Sequence, residues 1–104
     1  MHTLRTRHAL LRAVASQGRY AEAEAGYRGL CEAQTRTLGS DHPDTLNTRH
    51  DLALQAGKQG RHAEAAAMLR DVLKTRAQIL GPQHPHTRAT LHALTELTQP
   101  PIQP

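Results

Sequence analysis

Apolar residues recur along this chain at intervals of three and four, the spacing that gathers side chains on one face of an α-helix. Leu46, Leu52, Ala53 and Ala56 form one such stripe, and Ala65, Leu69, Val72, Leu73 and Leu80 form the next. Leu10, Leu11 and Val14 carry the same pattern near the start, and Tyr27 and Leu30 carry it further on. Nowhere does polarity alternate with the period of two that marks a strand. The stripes are cut by Gly18, Gly39, Gly60 (with Gly57 just before it) and Gly81-Pro82. Glycine readily takes the left-handed conformation that closes a helix. Pro43 and Pro85 fit a first helical turn, where a missing N–H has no intrahelical partner. Asp41 is placed to cap that turn, and Asp44 adds a negative charge beside the positive end of the helix dipole. The pattern predicts helices over residues 4–17 and 20–38. A third ends at Gly57–Gly60, a fourth runs to Leu80, and the last spans residues 86–98. The breaks are short, so successive helices pack antiparallel.

The pattern also repeats. A shift of 42 residues sets Thr3-Leu4-x-Thr6-Arg7-His8-x-Leu10 on Thr45-Leu46-x-Thr48-Arg49-His50-x-Leu52. It sets Gln17-Gly18-Arg19 on Gln59-Gly60-Arg61, and Leu38-Gly39-x-x-His42-Pro43 on Leu80-Gly81-x-x-His84-Pro85. Eighteen of the 42 positions are identical between residues 3–44 and 45–86. A third copy opens with Thr87-x-x-Thr90-x-His92-x-Leu94 and breaks off. Two and a half helix pairs are therefore expected, one domain over residues 1–98, with a flexible proline-rich tail at 99–104. One pair cannot bury its apolar stripe alone, so neighbours must stack.

The run from Thr37 to Arg49 (Thr-Leu-Gly-Ser-Asp-His-Pro-Asp-Thr-Leu-Asn-Thr-Arg) resembles the 42-residue tetratricopeptide repeats of kinesin light chains and their bacterial relatives. Gly60-Arg61-His62-Ala63-Glu64-Ala65 and Ile79-Leu80-Gly81-Pro82-Gln83-His84-Pro85 follow the same pattern. The resemblance spans residues 3–97 and implies an all-α solenoid, a right-handed superhelix. Its first helices would line a concave groove that holds a peptide or a partner domain. Related bacterial repeats often follow an ATPase or signalling domain, but this chain has no phosphate-binding glycine-rich motif. It also departs from shorter repeats of the family in lacking large aromatics at packing positions.

Leu10, Leu11, Val14, Leu52, Ala53 and Ala56 are expected to pack inward. By analogy with the family, the groove would be lined by Arg5, His8, Ala9 and Arg12 from the first helix. Asn47, His50, Asp51, Leu54 and Lys58 would follow from the third, and Ala89, His92, Ala93 and Glu96 from the fifth. His8, His50 and His92 hold one equivalent position, a ladder that offers donors, acceptors and an adjustable charge. Arg5 and Arg12 have the planar fork that binds carboxylates. An acidic or polar peptide segment is the expected ligand. The bland alternative makes these residues a solvated face copied by duplication.

Composition narrows the choices. Thirteen Lys and Arg oppose nine Asp and Glu among 104 residues, spread without a block of like charge. With no Phe or Trp, and no basic cluster, nucleic-acid binding is not expected. No run is long and apolar enough for a membrane span, and the start lacks a signal core, which points to the cytoplasm. The single Cys31 lies on the face of Tyr27 and Leu30, opposite number to Leu73, and reads as a small core residue. Eight histidines raise the question of metal. The ladder members stand on separate helices whose axes lie about 8–10 Å apart, whereas zinc ligands converge to about 2.0–2.3 Å. His84-Pro85-His86 offers only two ligands. No metal site, cofactor or catalytic constellation is expected, since Glu22 and Glu64 are repeat equivalents at helix starts rather than a paired acid and base. The chain therefore reads as a protein-binding module and not an enzyme. The alternative is a homo-oligomer that assembles through end-helix residues such as Leu94 and Leu97.

Overall fold

The computed structural model describes residues 3–99, which form five α-helices. They are α1 (Leu4–Ser16), α2 (Tyr20–Leu38), α3 (Pro43–Lys58), α4 (His62–Leu80) and α5 (Pro85–Thr98). The expected tail lies outside the described residues except for Gln99.

Local chemistry sets each boundary. Gly18, Gly39, Gly60 and Gly81 all have positive φ, and they are the only described residues that do. The ends of α1 to α4 therefore recur at these four glycines. The caps differ from expectation at the second type of junction. His42, not Asp41, is the N-cap of α3: its Nδ1 accepts the Asp44 backbone N–H at 3.0 Å. His84 does the same for His86 at 3.0 Å. The reason is the proline that follows. It occupies the first helical position and holds its predecessor extended, which makes that predecessor the cap. Asp41 stands one residue too early. Gly57 takes part in the stop of α3 through its carbonyl, which accepts the Gly60 N–H at 3.0 Å. It lies within α3, where a side chain would crowd Leu97 of α5 and Ala65 of α4.

Each helix packs against its neighbours in sequence, and α3 also touches α5. The core is a thin seam of Ala23, Tyr27 and Leu30 from α2, Leu46, Leu52, Ala53 and Ala56 from α3, and Ala65, Ala66, Leu69 and Val72 from α4. Tyr27 sits at its centre, against Ala23 and Leu52, with Leu11, Val14 and Ala15 of α1 closing over it. Leu10, expected inside, is 52% exposed, whereas its equivalent Leu52 is 6% exposed. Leu52 is covered by the helix preceding its own, and no described helix precedes α1.

The two repeats trade volume at one joint. Gly26 of α2 leaves the space that Leu11 of α1 fills. The equivalent pair one repeat later is Met68 and Ala53, with large and small exchanged. Two measurements probe these devices. Gly60→Val should cost about 1–3 kcal/mol by urea denaturation, from backbone strain alone, because open space surrounds the site. Gly26→Ala should change stability by less than about 1 kcal/mol, because the added methyl meets the end of the half-buried Leu11 side chain, which must turn aside, while Ala favours the helix. In a Leu11→Ala background the same change should become stabilising, since Ala is the better helix former.

Candidate functional site

The first helices of the repeats, α1, α3 and α5, carry two hollows between them. The larger, about 500 Å³, lies between α3 and α5 at the start of α4. Ala53, Leu54, Gly57, Leu69, Ala93 and Leu97 give it apolar walls, with Lys58, His62, Glu96 and Gln99 among its lining. It exists because the repeats are unequal. Tyr20 and Tyr27 of the first repeat correspond to His62 and Leu69 in the second. The buried Tyr27 ring fills the space between α1 and α3, and the smaller Leu69 leaves room between α3 and α5. The second hollow, about 220 Å³, is polar and lies between α1 and α3, lined by Arg5, His8, Gln34, Asp44 and Asn47.

The residues expected in the groove separate by environment. Leu54, Lys58 and Glu96 meet at the larger hollow. Arg5, His8 and Asn47 meet at the smaller one, where Arg5 Nε lies 3.9 Å from Asp44. Arg12 is exposed on α1.

The histidine ladder occupies three different settings. His8 leans against the Tyr27 ring, centroids 5.6 Å apart. Its Nε2 lies 2.8 Å from Asp51 on α3, a close approach of charge without the alignment of a directed hydrogen bond. His50 places Nδ1 3.1 Å from the Thr90 hydroxyl on α5. Burial lowers its pKa, with Arg76 and His86 adding to the effect and Asp51 opposing it, so the ring favours its neutral form. His92 is exposed and pairs with Glu96 of its own helix at 2.6 Å. Two ladder members thus reach toward the next first helix, and the third has no described helix beyond it.

The polar residues that join the repeats were not singled out by sequence reasoning. Arg76, 4% exposed, donates to the Thr90 hydroxyl at 2.8 Å and to the His86 carbonyl at 3.2 Å. Its repeat equivalent is Gln34, whose Oε1 is buried and without a protein partner, as is the Thr48 hydroxyl nearby in the repeat pattern. Glu24 of α2 is also buried. It accepts from Arg61 and from Gln59, both in the turn after α3, the latter at 2.8 Å. Arg28 completes its shell at 2.9 Å. The Arg61 guanidinium is the main reason the Glu24 pKa falls to about 2, against the opposing effect of burial. The available signal was the break in repetition, because Glu24 and Gln34 face Ala66 and Arg76 across the 42-residue shift.

Among the described residues no three of His, Cys, Asp and Glu converge as a metal site would require. No described helix is long and apolar enough to cross a membrane.

The Glu24 joint has a pH signature. A depressed carboxylate pKa contributes stability that is full above the unfolded value, near 4.5, and is lost as pH falls through about 2. Glu24→Gln should therefore lower stability by about 1–2 kcal/mol at pH 7, discounted because solvent reaches the Arg61 side. The gap from the unaltered chain should shrink as pH is lowered from 4.5 toward 2 in parallel denaturation curves.

Comparison with known proteins places this architecture. The family model for the tetratricopeptide repeat matches residues 2–78. Among solved structures, the nearly identical TPR-like repeats of a Podosopora anserina protein assigned as a kinesin light chain superpose with a TM-score of 0.81. They are 32% identical in sequence over 90% of this chain. A single-substitution variant of the same repeats gives a TM-score of 0.80 at 32% identity over 90% of the chain. This chain spans 44% of the length of each. No curated protein matches it significantly. Tetratricopeptide repeats are in general modules of protein–protein interaction. The helix pairs, the 42-residue period and the matches agree: the chain belongs to the tetratricopeptide repeat family.

Proposed function

We propose that the side formed by α1, α3 and α5 binds a peptide or an extended segment of a partner protein, with its anchor in the hollow between α3 and α5. The observation that carries this reading is the hollow itself. It is open, about 500 Å³, and apolar at Leu54, Leu69, Ala93 and Leu97, with polar groups at Lys58, His62 and Glu96. An apolar recess with a few convergent polar groups is the usual form of a binding site. An aliphatic or aromatic anchor would bury there. Lys58 and, along α1, Arg5 and Arg12 would favour carboxylates on the flanking residues. The site does not depend on the ladder histidines, two of which are occupied between helices.

The test is selection of peptides from a random display library on the intact chain, followed by titration of each selected peptide. Ligands with micromolar Kd should carry one large apolar residue beside acidic ones. Leu54→Glu should weaken them at least tenfold, and Lys58→Glu should weaken them in a salt-dependent manner. Both variants should keep the helical circular dichroism of the unaltered chain. Peptides that bind equally well to both variants would move the site elsewhere.

A further inference from the structure

The two joints carry different residues at equivalent positions, and one joint lacks a group that the other has. At the second joint the buried Arg76 guanidinium donates to the Thr90 hydroxyl at 2.8 Å and to the His86 carbonyl at 3.2 Å. His50 approaches the same hydroxyl at 3.1 Å. One repeat earlier, Gln34 stands in the place of Arg76, Thr48 in that of Thr90, Asp44 in that of His86 and His8 in that of His50. Gln34 is 2% exposed and Thr48 is buried. Yet the Gln34 Oε1 and the Thr48 hydroxyl have no partner among the described residues. His8 turns instead to Asp51, at 2.8 Å.

The polar hollow of about 220 Å³ opens at this place. Its lining residues His8, Gln34 and Asp44 are the equivalents of His50, Arg76 and His86, the groups gathered around the guanidinium at the second joint. Charge is exchanged as well. Helix α3 carries Asp44 and Asp51 where α5 carries His86 and Ala93. The first joint thus holds two carboxylates and no buried cation. Arg5 stands at the mouth, 88% exposed and 3.9 Å from Asp44, and so exposed a pair contributes little. A buried amide or hydroxyl without a partner is costly, and the hollow is larger than a single bridging water needs.

We propose that this hollow is a recognition pocket for one arginine side chain of a partner protein, its guanidinium taking the place that Arg76 holds at the second joint. The planar donors bond the Gln34 carboxamide and the Thr48 hydroxyl, and the positive charge faces Asp44. A half-turn of the Gln34 amide exchanges its oxygen and nitrogen, which brings the oxygen to the hollow. An acidic side chain is disfavoured, because Asp44 and Asp51 repel it. The pocket shares no lining residue with the hollow between α3 and α5, so the two readings stand or fall separately.

The probe is the capped tripeptide acetyl-Ala-Arg-Ala-amide, titrated into the isotope-labelled full-length chain at low salt and followed by NMR. Saturable shifts of the Thr48 backbone amide and the Gln34 side-chain amide are expected, with a millimolar Kd. The citrulline counterpart has the same shape without the charge and should bind at least fivefold less tightly. The glutamate counterpart should give no saturable shift. Gln34→Arg supplies the guanidinium from within, as Arg76 does, and should abolish binding with helicity unchanged. Asp44→Asn, at a half-buried position, should weaken binding at least threefold. Leu54→Glu should leave it as it is in the unaltered chain. No saturation, the result if the hollow holds water alone, overturns the proposal. So do equal binding of the citrulline peptide, preference for the glutamate peptide, and binding indifferent to both Gln34→Arg and Asp44→Asn. Shifts confined to the hollow between α3 and α5 overturn it as well.

Discussion

Tyr27 and Glu24, three residues apart on α2, are the contact on which the joining of the two repeats depends. The Tyr27 ring is the only aromatic in the core, and three helices touch it. Glu24 beside it receives Arg61 and Gln59 from the turn between α3 and α4. An apolar wedge thus fixes the distance between the repeats, and a charged clasp fixes their relative rotation. In a solenoid each repeat touches only its neighbours, so no distant contact can compensate for a weak joint. The remaining core is alanine, leucine and valine, which bury little area per residue.

The second joint solves the same problem with other residues. Leu69 takes the place of Tyr27, and Ala66 the place of Glu24. Polar closure passes to Arg76, Thr90 and His50 at the other end of the helices. This exchange has a functional consequence. Loss of the ring leaves the hollow between α3 and α5, and the buried arginine holds the repeats together without filling it. At the first joint the ring fills the apolar space and Gln34 leaves a polar cavity. Two repeats with the same backbone therefore present unlike surfaces, one with a small polar hollow and one with a larger apolar one.

Much of the architecture was legible because it rests on local rules. Helices α1 to α4 end at glycines that take positive φ, α3 and α5 begin at prolines that fix φ, and neither depends on distant contacts. The repeat period and the family resemblance come from the same residues. Cap preferences favour aspartate over histidine and so point to Asp41 as the cap of α3. The proline at the first helical position overrides that preference. Leu10 differs for another reason: it sits at a core position of the repeat pattern, and only the absence of a described helix beyond α1 leaves it on the surface.

The candidate site divides along the same line. From the sequence alone came the helix pairs, their order, their stacking and the set of side chains shared by α1, α3 and α5. These follow from periodicity, which a single chain states in full. Tertiary structure alone decided which members of that set stay open. His8 and His50 carry the same letter as His92, yet the first two are spent between helices and the third is free of them, because burial depends on whether another helix follows. The hollow at Leu69, the clasp at Glu24 and the polar hollow at Gln34 are likewise differences between equivalent positions. Sequence shows that such positions differ, but the space and partners created by the difference arise only when the repeats are packed.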